Sequence, residues 1–151
     1  MNAAALLTPV GRLGLIEEHG AITQLVWDGE NHGTRTDVLK RGLDQLGAYF
    51  AGELAVFDLP LAPEGSAFQK AVWDQMLAIP LGETRTYGQI ARAVDQPPQP
   101  VGQACGANPI PVIIPCHRVV GADGLGGFSG AGGVEMKVKL LRHEGAYSLL
   151  L

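Results

Sequence analysis

Apolar positions along the chain recur with two different periods. Residues 13–18 (LGLIEE) and 21–27 (AITQLVW) are short β-prone runs on either side of His19-Gly20. A two-residue connection ending in glycine predicts a hairpin. From Thr36 the spacing changes: Val38, Leu39, Leu43, Leu46, Tyr49 and Phe50 recur at three- and four-residue steps. That is one buried helical face, with Thr36 or Asp37 placed to cap it. Pro60 and Pro63, in the extended stretch DLPLAPEG, stop any continuing helix and put a domain boundary near residue 63.

The second half opens on Ser66-Ala67-Phe68-Gln69, a capping-box spacing, and a helix to about Ile79 with Phe68, Val72, Met76 and Ile79 inward. Thr86-Tyr87-Gly88-Gln89 repeats that spacing before a shorter helix, TYGQIARAV. Beyond the breaker DQPPQP, the run PVGQACGAN predicts a third short helix with proline in its first turn. Two short helices around a tight connector, over about 87–107, are a helix-turn-helix candidate. Residues 109–120 (PIPVIIPCHRVV) are β-branched and proline-punctuated, which predicts a buried extended segment broken at Pro115. Seven glycines fall within residues 121–133. They suit a loop whose backbone approaches another group closely, and equally a plain surface loop. A last helix, near Val134 to His143, leads to Glu144-Gly145, with the glycine at a C-cap.

Composition narrows the class. With 151 residues, 46% of them hydrophobic and 17% charged, the chain can bury a real core as one ordinary domain or two small ones, and disorder is excluded. Two cysteines, Cys105 and Cys116, support neither a disulfide framework nor a four-ligand zinc site, so a reducing, intracellular location is expected. The run Met1 to Val10 lacks a basic n-region and an adequate apolar core, and no stretch nears about 18 apolar residues, so the expectation is a soluble, cytoplasmic protein. The net charge of -4 argues, at face value, against a nucleic-acid partner.

Cys116 is the residue on which chemistry can be built. A buried free cysteine in a β-branched run commonly serves as a small hydrophobe. Here His117 and Arg118 follow it directly, and an imidazole or a guanidinium beside a thiol raises its thiolate fraction. Successive side chains of an extended strand point to opposite faces. His117 therefore either sits on a turn made by Pro115 or reaches the thiol through a water. A base needs an orienting partner, and Glu144, at the end of an apolar helix, is the best-placed acid. Cysteine, histidine and glutamate would then follow the nucleophile-base-orienter logic of triads. Glu144 could equally just solvate a helix end.

The segment Pro115-Cys116-His117-Arg118-Val119, preceded by Asn108-Pro109-Ile110-Pro111, strongly resembles the acceptor-site signature of the O6-alkylguanine-DNA alkyltransferases, the methylated-DNA-protein-cysteine methyltransferases. The resemblance runs from about Ser66 to Glu144 through FQKAVWDQMLAIPLGETRTYGQIA and LLRHEG. It implies a small ribonuclease H-like α/β domain over 1–63, a sheet plus a helix. A mostly α, winged helix-turn-helix domain over 64–151 would follow it. By position, Cys116 would accept the alkyl group, His117 would be the water-mediated base, and Glu144 would orient it. Asn108 would brace the turn into the site, and Tyr87 would help rotate the nucleotide and donate a proton toward the purine. Ser129, Gly127, Arg118 and Val119 would surround the flipped base, with the Arg118 guanidinium tying neighbouring segments together. Gln99, Gln103, Ala104, Arg92 and Arg85 would face the DNA.

The implied activity is irreversible transfer of an alkyl group from O6-alkylguanine, and from O4-alkylthymine, in double-stranded DNA. It would be single-turnover, by a monomer, with base flipping and with no cofactor or metal. Many members place an arginine in the second helix where this chain has Gln99, and an aromatic residue where it has Lys139. Other readings are a non-catalytic lesion-binding protein, a cysteine hydrolase that turns over, and a regulator using the helix-turn-helix alone. The charge then divides: residues 1–63 hold four Lys/Arg and eight Asp/Glu, giving -4, and residues 64–151 hold seven of each, giving zero. The DNA-facing half is thus expected to bind through a few placed cations, backbone amides and helix N-termini, with a shallow salt slope.

Overall fold

The computed structural model of the chain describes residues 1–126 and 133–146, in two units, Met1–Glu64 and Gly65–Leu151. In the first, strands β1 (Asn2–Thr8), β2 (Gly11–Glu18) and β3 (Ala21–Trp27) form an antiparallel sheet in that order. His19 and Gly20, between the paired Glu18 and Ala21, have φ of 52° and 82°, the double left-handed backbone of a type I′ hairpin. Strand β1 goes beyond what the pattern predicts. Its run NAAALLT has little strand propensity of its own. It becomes a strand through a continuous ladder with β2, from Asn2↔Glu17 to Thr8↔Gly11.

Helix α1 (Asp37–Phe50) takes its cap from Thr36, whose hydroxyl accepts from the Leu39 amide. It buries Leu39, Leu43, Leu46 and Tyr49, and the sheet contributes Leu13, Leu15, Ile22 and Leu25 to the same core. Gly42 lies on that face, where a Cβ would come within 2.5 Å of Leu15 Cδ1, so glycine lets the helix close on β2. The chain around Pro60 covers the edge of β3: the Ile22 amide donates to the Pro60 carbonyl and the Ala62 amide to the Ile22 carbonyl, both at 2.8 Å.

In the second unit, helices α2 (Ala67–Leu77) and α3 (Tyr87–Val94) both start with reciprocal capping boxes, Ser66 with Gln69 and Thr86 with Gln89. Asp95 ends α3 in the left-handed conformation, and α4 spans Pro98–Gly106. The helix thus begins two residues earlier than the breaker reading predicts. Amides in a first turn have no intrahelical acceptor, so Pro98 and Pro100 cost it nothing there. Gln99 consequently belongs to α4 and not to the connector. Trp73 Nε1 donates to the Ala104 carbonyl at 2.8 Å, which ties α2 to α4.

Residues 109–118 depart from the extended segment that their composition predicts. They form successive turns and then a 3-10 turn, Cys116–Arg118. Pro109, Pro111 and Pro115 remove the amide donors that a ladder needs, so the β-branched side chains are buried by turns instead. Only Val119–Val120 is a strand (β5), pairing in parallel with β4 (Arg85–Thr86). Helix α5 (Gly133–His143) closes with Gly145 at φ 76° and the Ala146 amide donating to the Leu141 carbonyl at 2.8 Å. Among the described residues no helix is long and apolar enough to cross a membrane.

Candidate functional site

Three pieces of local structure converge on the 3-10 turn. The first is the bend before it. Asn108 Nδ2 donates to the Ile114 carbonyl at 2.8 Å, its Oδ1 accepts the Ile110 amide at 3.0 Å, and Val112 between them has φ 72°. A left-handed β-branched residue is strained, and the two side-chain bonds span that strained position. The second is the pairing of β5 with β4, which sets the turn beside Tyr87, the first residue of α3. The third is the C-cap of α5, which fixes Glu144.

Glu144 is the centre of a buried network. His117 Nε2 lies 2.7 Å from its Oε2, Arg118 Nε donates to Oε1 at 2.8 Å, and Arg118 Nη2 donates to Oε2 at 3.0 Å. The third guanidinium nitrogen, Nη1, donates to the Ile79 carbonyl beyond α2 at 2.7 Å. Burial alone would push the Glu144 carboxyl up, but the hydrogen bonds and charges of His117 and Arg118 outweigh it and hold it at about 2. The carboxylate can only accept, so the proton between the two side chains sits on Nε2. The other ring nitrogen, Nδ1, is buried and has no hydrogen-bond partner among the described residues. Burial also depresses the imidazolium, against the pull of Glu144 and with the push of Arg118 and Lys137, so His117 rests neutral. The turn therefore presents a neutral imidazole with a bare lone pair next to a cysteine.

The Cys116 thiol is pushed up by burial. The Asn108 side chain, the Lys137 charge and local backbone amides pull it back. Burial, then the charges of Cys105 and Cys116, push the Tyr87 hydroxyl up to about 12, so it stays protonated. Gly126 lies close against its ring: at φ 71°, a Cβ there would stand 3.0 Å from Tyr87 Cε2.

Cys116, His117, Glu144, Asn108 and Tyr87 thus fall around one turn. Gly127 and Ser129 lie outside the described residues. The Arg118 guanidinium is engaged by Glu144 and by the Ile79 carbonyl, tying these segments together as the resemblance implies. One expectation for the pocket needs correction. Val119 turns its side chain inward and its carbonyl to Lys137. On the helix-turn-helix, Gln99, Gln103 and Arg92 are exposed and Arg85 is half-buried. Ala104 is buried, packed inward by the Trp73 bond to its carbonyl, and cannot face DNA. Lys137 is the residue the sequence reading passed over. The signal was a lysine set among the inward positions Met136, Leu140 and Leu141. No group of three or more metal-ligating side chains occurs among the described residues.

Comparison with known proteins places this geometry. Residues 67–146 match the family model for the 6-O-methylguanine DNA methyltransferase DNA binding domain, and residues 3–63 match its ribonuclease-like domain. A methylated-DNA--protein-cysteine methyltransferase of Methanosarcina acetivorans is 54% identical over 105 residues, covering 68% of this chain and 66% of that one. One from Salmonella typhimurium is 51% identical over 111 residues, 71% of this chain and 63% of its own. The matched segment therefore spans about two thirds of these relatives' length. Among solved structures, O6-methylguanine methyltransferase of Mycobacterium tuberculosis superposes with a TM-score of 0.84 at 38% identity, over 97% of this chain and 94% of that one. The same organism's OGT in complex with DNA matches at 0.84 and 41%, over 96% and 93%.

Proposed function

The chain belongs to the 6-O-methylguanine DNA methyltransferase family, with its ribonuclease-like and DNA-binding domains in that order, and from that premise we propose that it repairs alkylated DNA by taking the alkyl group onto Cys116. The observation that carries the reading is the bare His117 Nδ1, buried in the same 3-10 turn as Cys116 while Nε2 is locked on Glu144. A water held between Nδ1 and Sγ would pass the thiol proton to the imidazole, and Glu144 stabilises the imidazolium that results.

The lesion base has to leave the duplex to reach a cysteine this buried, at a cost of a few kcal/mol in lost stacking and pairing. The thiolate then attacks the alkyl carbon: a C–S bond forms, the C–O6 bond breaks, and the electron pair leaves with guanine. Tyr87, which keeps its proton at neutral pH, donates it toward the purine and makes guanine the better leaving group. The product is a thioether that water does not cleave, so each molecule acts once. Arg92 and Arg85, with the Gln99 and Gln103 face of α4, meet the DNA. The protein works in the cytoplasm, on O6-alkylguanine and, in the same pocket, on O4-alkylthymine. The test is incubation with duplex DNA carrying O6-methylguanine, followed by mass spectrometry. A methyl-sized gain on the Cys116 peptide is expected, and a reduced, folded protein that gains none overturns the reading.

A further inference from the structure

Helix α4 carries no Asp, Glu, Lys or Arg in its nine residues. Pro97, Pro98 and Pro100, at its cap and in its first turn, also remove amides that a helix N-terminus would offer a phosphate. Laid on DNA, this helix has little with which to grip the phosphate backbone. Its orientation is nonetheless fixed. Val101, Ala104 and Cys105 are buried, and Trp73 Nε1 donates to the Ala104 carbonyl at 2.8 Å. The opposite side is left to Gln99, Gly102, Gln103 and Gly106, and a Cβ at either glycine would meet nothing within 4 Å. The helix backbone can therefore come close to a groove beside Gln103 without a clash.

Glutamines elsewhere use their amides inside the protein. Gln45 exchanges two bonds with the Asp58 backbone, and Gln69 and Gln89 close the capping boxes. Gln99 and Gln103 are exposed, and neither amide has a hydrogen-bond partner among the described residues. They lie four positions apart, about 6 Å along the helix axis. Successive base pairs are about 3.4 Å apart, so the two amides are spaced by about two steps of a duplex. A primary amide offers donors at Nε2 and an acceptor at Oε1. It matches a base edge that presents a donor and an acceptor side by side. Adenine presents them in the major groove and guanine in the minor groove, and both are purines.

We propose that Gln103, with Gln99 one turn before it, is a specificity-determining residue that reads base edges beside the lesion, so that repair depends on the flanking sequence and favours a purine there. This rests on the repair reading and deepens it. With no cation on α4, a phosphate contact from this face would be weak, whereas a well-placed amide on a base edge discriminates one base from another.

The experiment measures second-order rates of methyl transfer from duplexes that hold O6-methylguanine in a fixed frame. The two pairs on each side are varied, one position at a time, through all four bases, and the parent is compared with Gln99→Ala and Gln103→Ala. In the parent the best flank should react about tenfold faster than the worst, and it should carry a purine. Gln103→Ala should compress that range to about twofold by slowing the favoured duplexes and leaving the others. Its log-log salt slope should match the parent's, because no charge is removed. Parent rates that agree within about twofold across all flanks overturn the proposal. So does a preference undiminished in Gln103→Ala, or a uniform slowing of that variant on every duplex, the mark of a backbone contact. The same duplexes are also followed as binding, by fluorescence anisotropy. Flank-dependent binding by a protein that takes no methyl from any of them would sink the repair reading alone. Transfer at one rate on every flank would sink this one alone.

Discussion

The 2.7 Å contact between His117 Nε2 and Glu144 Oε2 decides which imidazole nitrogen is left for Cys116. Because the carboxylate cannot donate, the ring is fixed with Nδ1 as its lone-pair side, and the Arg118 fork keeps the carboxylate from rotating away.

Glu144→Gln should therefore be costly twice over. The amide leaves the buried Arg118 charge uncompensated, a loss of about 3 kcal/mol in unfolding free energy. It also no longer enforces the tautomer, so single-turnover methyl transfer should slow by about a hundredfold or more. Denaturant unfolding and rapid-quench transfer measure the two effects separately. A variant as stable and as fast as the parent would remove Glu144 from the account.

Acid should destabilise the second unit in two stages. His117 is depressed by burial, so the unfolded chain binds the extra proton more readily, and stability starts to fall as pH drops below 6.5. The Glu144 carboxyl titrates lower folded than unfolded; its stabilisation is complete above pH 4.5 and is lost as pH falls toward about 2. Thermal melts from pH 8 to 3 should show both stages in the parent and lose the lower one in Glu144→Gln.

Asn108→Ala should lower stability by about 2 kcal/mol, because it removes both bonds that bridge the strained Val112 and strands a carbonyl and an amide. Asn108→Asp keeps the acceptor for Ile110 but sets a carboxylate oxygen against the Ile114 carbonyl, acceptor against acceptor. Urea unfolding should place it no higher than the alanine variant.

How far these residues could be read from the sequence depends on the range over which each is determined. The two capping boxes, the His19-Gly20 hairpin and the α1 face are set by contacts within four residues, and each is where the pattern puts it. Strand β1 was hidden because alanines carry no strand signal and the ladder partner lies across a turn. The start of α4 was obscured because proline breaks helices everywhere except in the first turn. The site itself divides the same way. Cys116 and His117 are adjacent in the chain, but the bonds of Arg118 to Ile79 and of Lys137 to Val119 join residues 39 and 18 positions apart. No local pattern encodes those distances.

The outward positions of α4, Gln99 and Gln103, carry no charge, and residues 64–151 balance seven cations with seven anions. DNA binding should therefore weaken only gradually with salt. Gln99→Arg adds one cation in the first turn, and it should tighten binding at low salt and steepen the log-log salt slope by about 0.9. Fluorescence anisotropy over a salt series checks it. A steep slope in the parent would mean that many more phosphates are contacted than this surface provides.

The most direct test of the account is a stoichiometric titration with an excess of duplex carrying O6-methylguanine. It predicts that methyl uptake stops at one group per chain, on Cys116, and that Cys116→Ala takes up none while still binding the DNA. Methyl on another residue, or transfer that continues past one per chain, would contradict it.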